Sequence, residues 1–408
     1  MTDFATRAAR ATQDDRRLIA SSHRVGFRLL HAFTRFGSVV RVPGIGVILS
    51  EAGIIRQVLL DSEHFSKVGR GASSSLWSPV IGDRGLINMD GPEHAHLRRQ
   101  LGPMFTPRFL KTLLGDIVDP QLQGIQNRLL AGEAVDLGFE IELTMANVLC
   151  HLAGWNISGN DERQVLEQLE RAREMLGLVK ITTKSLKPAQ VAVAKTKLAG
   201  IEEAIRAAYR AAEPGTVPTL LREIGLSEDD SVSVVLALIL AGTETTISHL
   251  PRVTRLGIES GYLNRLAGLA SRDAEQAAGA ERALDALLQE GFRVTVPSPV
   301  MMRSVIAPAL IDGLQVRPGD RIVIATYEAC QRLGNFNPDR PIPPDMRQLW
   351  FGAGVHFCIG MPLAMRVVEN YLRMLAQVEA ERPLRIRSQV RRKKSLAAGF
   401  KHFVVVAE

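Results

Sequence analysis

A chain of 408 residues can bury a large core, and its 46% hydrophobic and 23% charged residues match a soluble globular protein, not a disordered one. Three cysteines give no disulfide framework and point to a reducing, cytoplasmic setting. The net charge of +7 is dispersed apart from Arg391 to Lys394, which reads as a solvated strand edge. The polar start and the lack of ~20 uninterrupted apolar residues argue against a signal peptide and a membrane span.

Residues 5 to 35 read as helical. Ser38 to Leu49, with Pro43-Gly44 inside it, reads as a β-hairpin, and 51 to 60 as a helix. Residues 66 to 89 read as a long loop of the kind that carries function. Pro92 then opens a helix on which His94 and Arg98, spaced i and i+4, share a face, whereas His94 and His96 diverge and make a poor metal pair. From 108 to 210 the pattern is helical with breaks, and Cys150 falls on an apolar face that suits core packing.

Ser227 to Asp230 resembles a capping box, and Val232 to Ala241 is apolar nearly all round, so this helix is expected to be deeply buried. It nevertheless continues into Gly242-Thr-Glu-Thr-Thr246, where a buried carboxylate and hydroxyls cost stability unless partnered. Thr245 is expected to bond the carbonyl of Ala241. Glu290 and Arg293 stand i, i+3 on a later helix, and strands follow over 300–306, 309–316 and 321–326. A proline-rich stretch leads to Phe351-Gly-Ala-Gly-Val-His-Phe-Cys-Ile-Gly360, a helical run from Met361, and a closing hairpin over 396–406. A cysteine in a glycine-rich loop at a helix start suits a thiolate held against a metal. Taken alone, it is equally a buried, inert cysteine in a turn. No repeat or linker divides the chain, so one domain over 1–408 is expected.

The His-x-x-x-Arg helix, the Ala-Gly-Thr-Glu-Thr-Thr helix, Glu-x-x-Arg and Phe-Gly-x-Gly-x-His-x-Cys-x-Gly stand in that order. Together they resemble the cytochrome P-450 superfamily in its soluble bacterial branch. The resemblance implies a mainly α (α+β) fold, a many-helix triangular prism with small β-sheets, holding haem b between the buried central helix and the cysteine-loop helix. It implies Cys358 as the iron ligand, and His94, Arg98, Arg303 and His356 as partners of the haem propionates. Ala241, Phe351, Gly352 and Gly360 would also contact haem. Glu244 and Thr245 would relay protons during dioxygen activation, and Glu290, Arg293 and Arg340 would form a buried structural ion-pair set.

The implied activity is a monooxygenase, of the kind met in secondary metabolism, that hydroxylates or epoxidises a bulky apolar molecule of terpenoid, steroid, fatty acyl or macrolide type. Electrons would come from a separate ferredoxin or flavodoxin steered by Arg99, Arg108, Lys111 and Arg366. The matching pocket positions are Leu76, Trp77, Leu86, Leu178, Leu236, Ile239, Leu240, Val296, Val300, Leu396 and Ala397. Alternatives are a peroxide-using or isomerising haem-thiolate enzyme and a non-catalytic haem sensor. The sequence departs from the family pattern where Met365 stands in place of an arginine, with Arg366 next, and where Pro341 stands in place of an aromatic residue. The segment 327–332 is atypical, and Pro251 predicts a kink or early end to the central helix.

Overall fold

The computed structural model describes the chain except for residues 1, 23, 156–161, 177–182, 184, 270–273 and 393–396. The first helical stretch forms two helices, α1 (Thr2–Ser22) and α2 (Arg24–Thr34). β1 (Val39–Val42) and β2 (Gly46–Leu49) pair antiparallel around the expected Pro43-Gly44 turn. A side chain at Gly46 would lie 2.3 Å from the Arg321 carbonyl oxygen, so only glycine lets the hairpin approach that strand. Glu51 caps α3 (Ala52–Leu60) by accepting from the Gly53 and Ile54 amides, and β3 (Phe65–Ser66) follows.

The stretch 66–89 is not a plain loop. It contains α4 (Ser74–Ile81), whose Leu76 and Trp77 are buried. α5 (Gly91–Leu101) begins behind Asp90 with Pro92 in its first turn, as the sequence predicts. α6 (Pro107–Leu130), β4 (Val135–Asp136), α7 (Leu137–Leu152), α8 (Glu162–Leu176), α9 (Pro188–Ala211) and α10 (Val217–Glu223) then build most of one side.

α11 (Glu228–Ser260) is the axis around which these helices pack. Ser227 caps it by accepting from the Asp230 amide at 3.1 Å. It is long and apolar enough to cross a membrane, but most of it is buried inside the fold. The expected early end is absent: the helix continues through Pro251 and ends at Gly261, where φ is +80°. A proline inside a helix costs about 3 kcal/mol. Tertiary contacts offset it here, because Leu250 and Val253 are fully buried and Arg252 is clamped to Asp15 of α1 by two 2.7 Å bonds.

α12 (Tyr262–Leu269) and α13 (Ala274–Thr295) follow, and a side chain at Gly291 would stand 2.7 Å from Val253, so α13 crosses α11 closely. β5 (Met301–Val305), β6 (Ala309–Ile311), β7 (Leu314–Val316) and β8 (Arg321–Ile324) match the expected strands. The atypical segment forms α14 (Thr326–Gln331). α15 (Met361–Glu381), β9 (Leu384–Arg391) and β10 (Phe400–Ala407) complete the chain, so the closing hairpin starts earlier than the sequence suggests.

The strands form a five-stranded sheet ordered β1-β2-β8-β5-β3, a three-stranded sheet β4-β10-β9, and the β6-β7 pair. The basic block at the end of β9 is not simply solvated. Arg392 is buried in a cluster with Glu142, Glu170 and Arg173, while Lys393 and Lys394 lie outside the described residues.

Candidate haem and active site

A cavity of about 330 Å³ lies between α11 and the loop that enters α15. Cys358 faces it, whereas Cys150 and Cys330 are buried in the core, as expected for Cys150. The loop is held by a Cys358 N–H donating to the Phe351 carbonyl at 3.0 Å. A side chain at Gly354, where φ is +67°, would fall 2.4 Å from the Leu59 carbonyl oxygen, so glycine is required where the loop meets α3. Burial pushes the Cys358 thiol up. Amides of Gly360 and Met361 at the start of α15, and the charges of Lys67 and Arg98, pull it down. A sulfur so supported is suited to bind as a thiolate once a metal supplies the remaining stabilisation.

One end of the cavity is cationic. His94, Arg98 and His356 line it, with the two imidazoles 4.2 Å apart. Lys67, at the end of β3, lines it too, a residue that the motifs did not reveal. Arg303 is buried behind this group and donates to the Met302 carbonyl at 2.9 Å; it does not reach the cavity wall. None of the described lining residues is a carboxylate.

Asp90 stands just outside, accepting from the Ser66 hydroxyl (2.6 Å), the Gly91 amide (3.0 Å) and the Lys67 amide (3.2 Å), with His356 Nε2 at 3.2 Å. Burial acts to raise its carboxyl, but the bonds from His356, Ser66 and Gly91 outweigh burial and hold it well below the usual range. Burial pushes His94 and His356 down to about 4, Lys67 down to about 7 and Arg303 down to about 10. Buried cations in such excess fit a ligand that brings its own carboxylates, as the propionates of haem would.

The opposite wall is α11. Val234, Leu238, Ala241 and Thr245 fall on one helical stripe that faces the cavity. Thr245 donates to the Ala241 carbonyl at 2.9 Å, as expected, while the helix stays continuous. Glu244 differs from expectation. Successive helical residues point about 100° apart, so its carboxylate turns away from Thr245 and accepts from the Ala397 amide at 3.1 Å. Burial raises its carboxyl, against the nearby charges of Arg173 and Arg392.

Of the expected apolar positions, Leu86 and Ile239 line the cavity. Leu76, Trp77, Leu236, Leu240, Val296, Val300 and Ala397 do not: the two α11 leucines sit on a stripe that packs into the core, and Ala397 serves Glu244 instead. Leu178 and Leu396 lie outside the described residues. Gly352 is buried beside the cavity without lining it, whereas Phe351 and Gly360 are in its wall. Met145, Leu149, Phe292 and Met301 complete much of the lining. The first two lay in an apolar run on α7 that reads equally well as core.

Beside the cavity, Arg293 makes a bidentate pair with Glu290 at 2.6 and 2.7 Å, and Arg340 reaches the same carboxylate at 3.1 Å. Arg293 also donates to the carbonyls of Cys330 and Gly334, so this fully buried guanidinium has its donors met.

Comparison with known proteins agrees with this arrangement. A family model described as Cytochrome P450 matches residues 282–377, which hold Glu290, Arg293 and the cysteine loop. The chain is 28% identical over 379 residues to the cytochrome P-450 monooxygenase DoxA of Streptomyces sp. (strain C5), covering 82% of each chain. It is 27% identical to the C-19 steroid 1alpha-hydroxylase of Sorangium cellulosum, over 75% of this chain and 77% of that one. A solved structure of a mutant of P450 EryK in complex with erythromycin B superposes with a TM-score of 0.74 at 22% identity, covering 93% and 95% of the two chains. The family model and the relatives support the cytochrome P450 superfamily, and the fold is the P450 fold. It is an oxidoreductase, a P450 monooxygenase, whose cofactor is haem b bound through a cysteine thiolate.

Proposed function

We propose that this monooxygenase hydroxylates or epoxidises a bulky apolar substrate of terpenoid, steroid, fatty acyl or macrolide type, with Cys358 as the haem ligand. The observation that carries the reading is a cavity with Cys358 and a cationic end on one side and an aliphatic α11 stripe on the other. When bound, haem supplies the redox chemistry that activates dioxygen. Lining residues such as Leu86, Met145, Leu149, Leu238 and Ile239 hold an aliphatic guest by exclusion of water, with Ala241 and Gly242 leaving room beside the helix. His94, Arg98 and His356 hold the carboxylates of the cofactor, and Arg303 adds its charge from behind. Thr245 places a hydroxyl at the cavity wall, where it orients a water or passes a proton. Glu244 supplies that proton only after leaving the Ala397 amide. Electrons come from a separate ferredoxin or flavodoxin, attracted by the exposed Arg99, Arg108, Lys111 and Arg366, in the cytoplasm. Glu290, Arg293 and Arg340 keep the floor of the site rigid.

The carbon monoxide difference spectrum of the reduced protein tests the ligand. The red-shifted Soret band of thiolate ligation is expected, and its survival in Cys358→Ala would end the assignment. A Soret-shift screen with apolar compounds, followed by product analysis, tests the substrate class; response only to small polar ligands would overturn it. The turned-away Glu244 favours a peroxide-driven enzyme as second reading, identified by product formation with hydrogen peroxide that equals or exceeds that with a ferredoxin system.

A further inference from the structure

We propose that Lys67 is a further cofactor-binding residue: its ammonium, in the cavity wall beside His94, Arg98 and His356, pairs with a carboxylate of the haem. The inference rests on the haem site proposed above. Three observations support it. First, the backbone of Lys67 is pinned, because its amide donates to Asp90 at 3.2 Å and the preceding Ser66 hydroxyl donates to the same carboxylate at 2.6 Å. That carboxylate also meets His356, so the lysine stem and the imidazole start from one anchor. Second, among the described residues no hydrogen bond or ion pair holds the ammonium, and the half-buried lysine lines the cavity. A flexible, costly charge is retained in a low-dielectric wall only where something anionic meets it.

Third, none of the described residues that line the cavity is a carboxylate, so the anion that meets Lys67 there has to come with the ligand, and haem b carries two propionates. A substrate carboxylate has the same chemistry. Lys67 nevertheless belongs electrostatically with Arg98, Arg303, Asp90 and Cys358, not with the aliphatic α11 stripe.

The test uses the substrate-free ferric holoprotein and its Lys67→Met and Lys67→Arg variants. Haem release is followed by transfer to excess apomyoglobin, alongside the midpoint potential and the ferrous carbon monoxide spectrum. Lys67→Met is expected to release haem about tenfold faster, the scale of a lost charge-assisted bond. Its midpoint potential should fall, and Lys67→Arg should stay near the wild type in both. If Lys67→Met takes up no haem while Lys67→Arg does, the charge requirement is likewise supported. Release within about twofold of wild type with an unchanged potential, loss of haem in both variants, or an effect confined to fatty-acid binding would each overturn the assignment. If the wild type lacks a Cys358-dependent thiolate spectrum, the haem-site reading fails instead.

Discussion

Cys358 and Thr245 face one cavity from opposite sides, and Glu244 does not face it at all. If Thr245 handles the proton at the wall, Thr245→Val should slow product formation by on the order of 10²-fold, with hydrogen peroxide released in place of product. Oxygen and product assays on the same sample check this, and unchanged coupling would remove Thr245 from the relay. His94 gives a pH prediction. Burial, then Lys67 and Arg98, hold it at about 4 in the folded chain against an ordinary 6.5, so the unfolded chain binds more protons between these values. The contribution of His94 to stability is present above pH 6.5 and lost as pH falls toward 4. The thermal midpoint of the haem-free chain should fall over that window, and His94→Gln should flatten the fall. At this scale the motifs singled out Cys358, His94, Arg98 and Thr245, which meet at one cavity, and Glu290 and Arg293, which pair, because each residue type serves a chemistry that few others serve. Lys67 has no motif around it, and only the fold brings it into the same wall as His94 and Arg98.

Among the elements, α11 shows why local signals misled. Pro251 alone predicts a break, yet the helix continues past it, held by the buried faces around it and the Asp15–Arg252 clamp. The same logic explains the misassigned pocket leucines. Alternation of faces along α11 is legible, but which face meets the cavity depends on α7 and α13. Asp15 is fully buried, and removing it leaves Arg252 without its carboxylate, so Asp15→Ala should cost about 3–5 kcal/mol. Urea unfolding checks this, and the double variant Asp15→Leu with Arg252→Met should recover much of the loss. Glu290→Ala, which strands Arg293 and Arg340 together, should lose haem or folding and not merely rate.

For the whole molecule, a net charge of +7 sets the long-range field. Arg99, Arg108, Lys111 and Arg366 are exposed, and Arg366 also pairs with Glu369 at 3.1 Å. If they steer an acidic electron carrier, the rate of first reduction should fall steeply with ionic strength, and flat rates between low and physiological salt would discard the idea. The architecture was legible as a whole because four motifs in a fixed order resemble those of one family, and that resemblance implies the fold. Element edges were not, since they depend on caps and contacts that a single sequence does not print, as with α4 inside an apparent loop.

The clamp between α1 and α11 also has a consequence for synthesis. Asp15 and Arg252 are 237 residues apart. At about 5–20 residues per second, the first helix leaves the ribosome on the order of 10–50 seconds before its partner exists. During that interval α1 cannot complete its docking, and its inner stripe and Asp15 are open to water and chaperones. The helix α1 therefore waits until more than half of the chain exists before its clamp can close, and that closing marks the point at which α1 and α11 become one body.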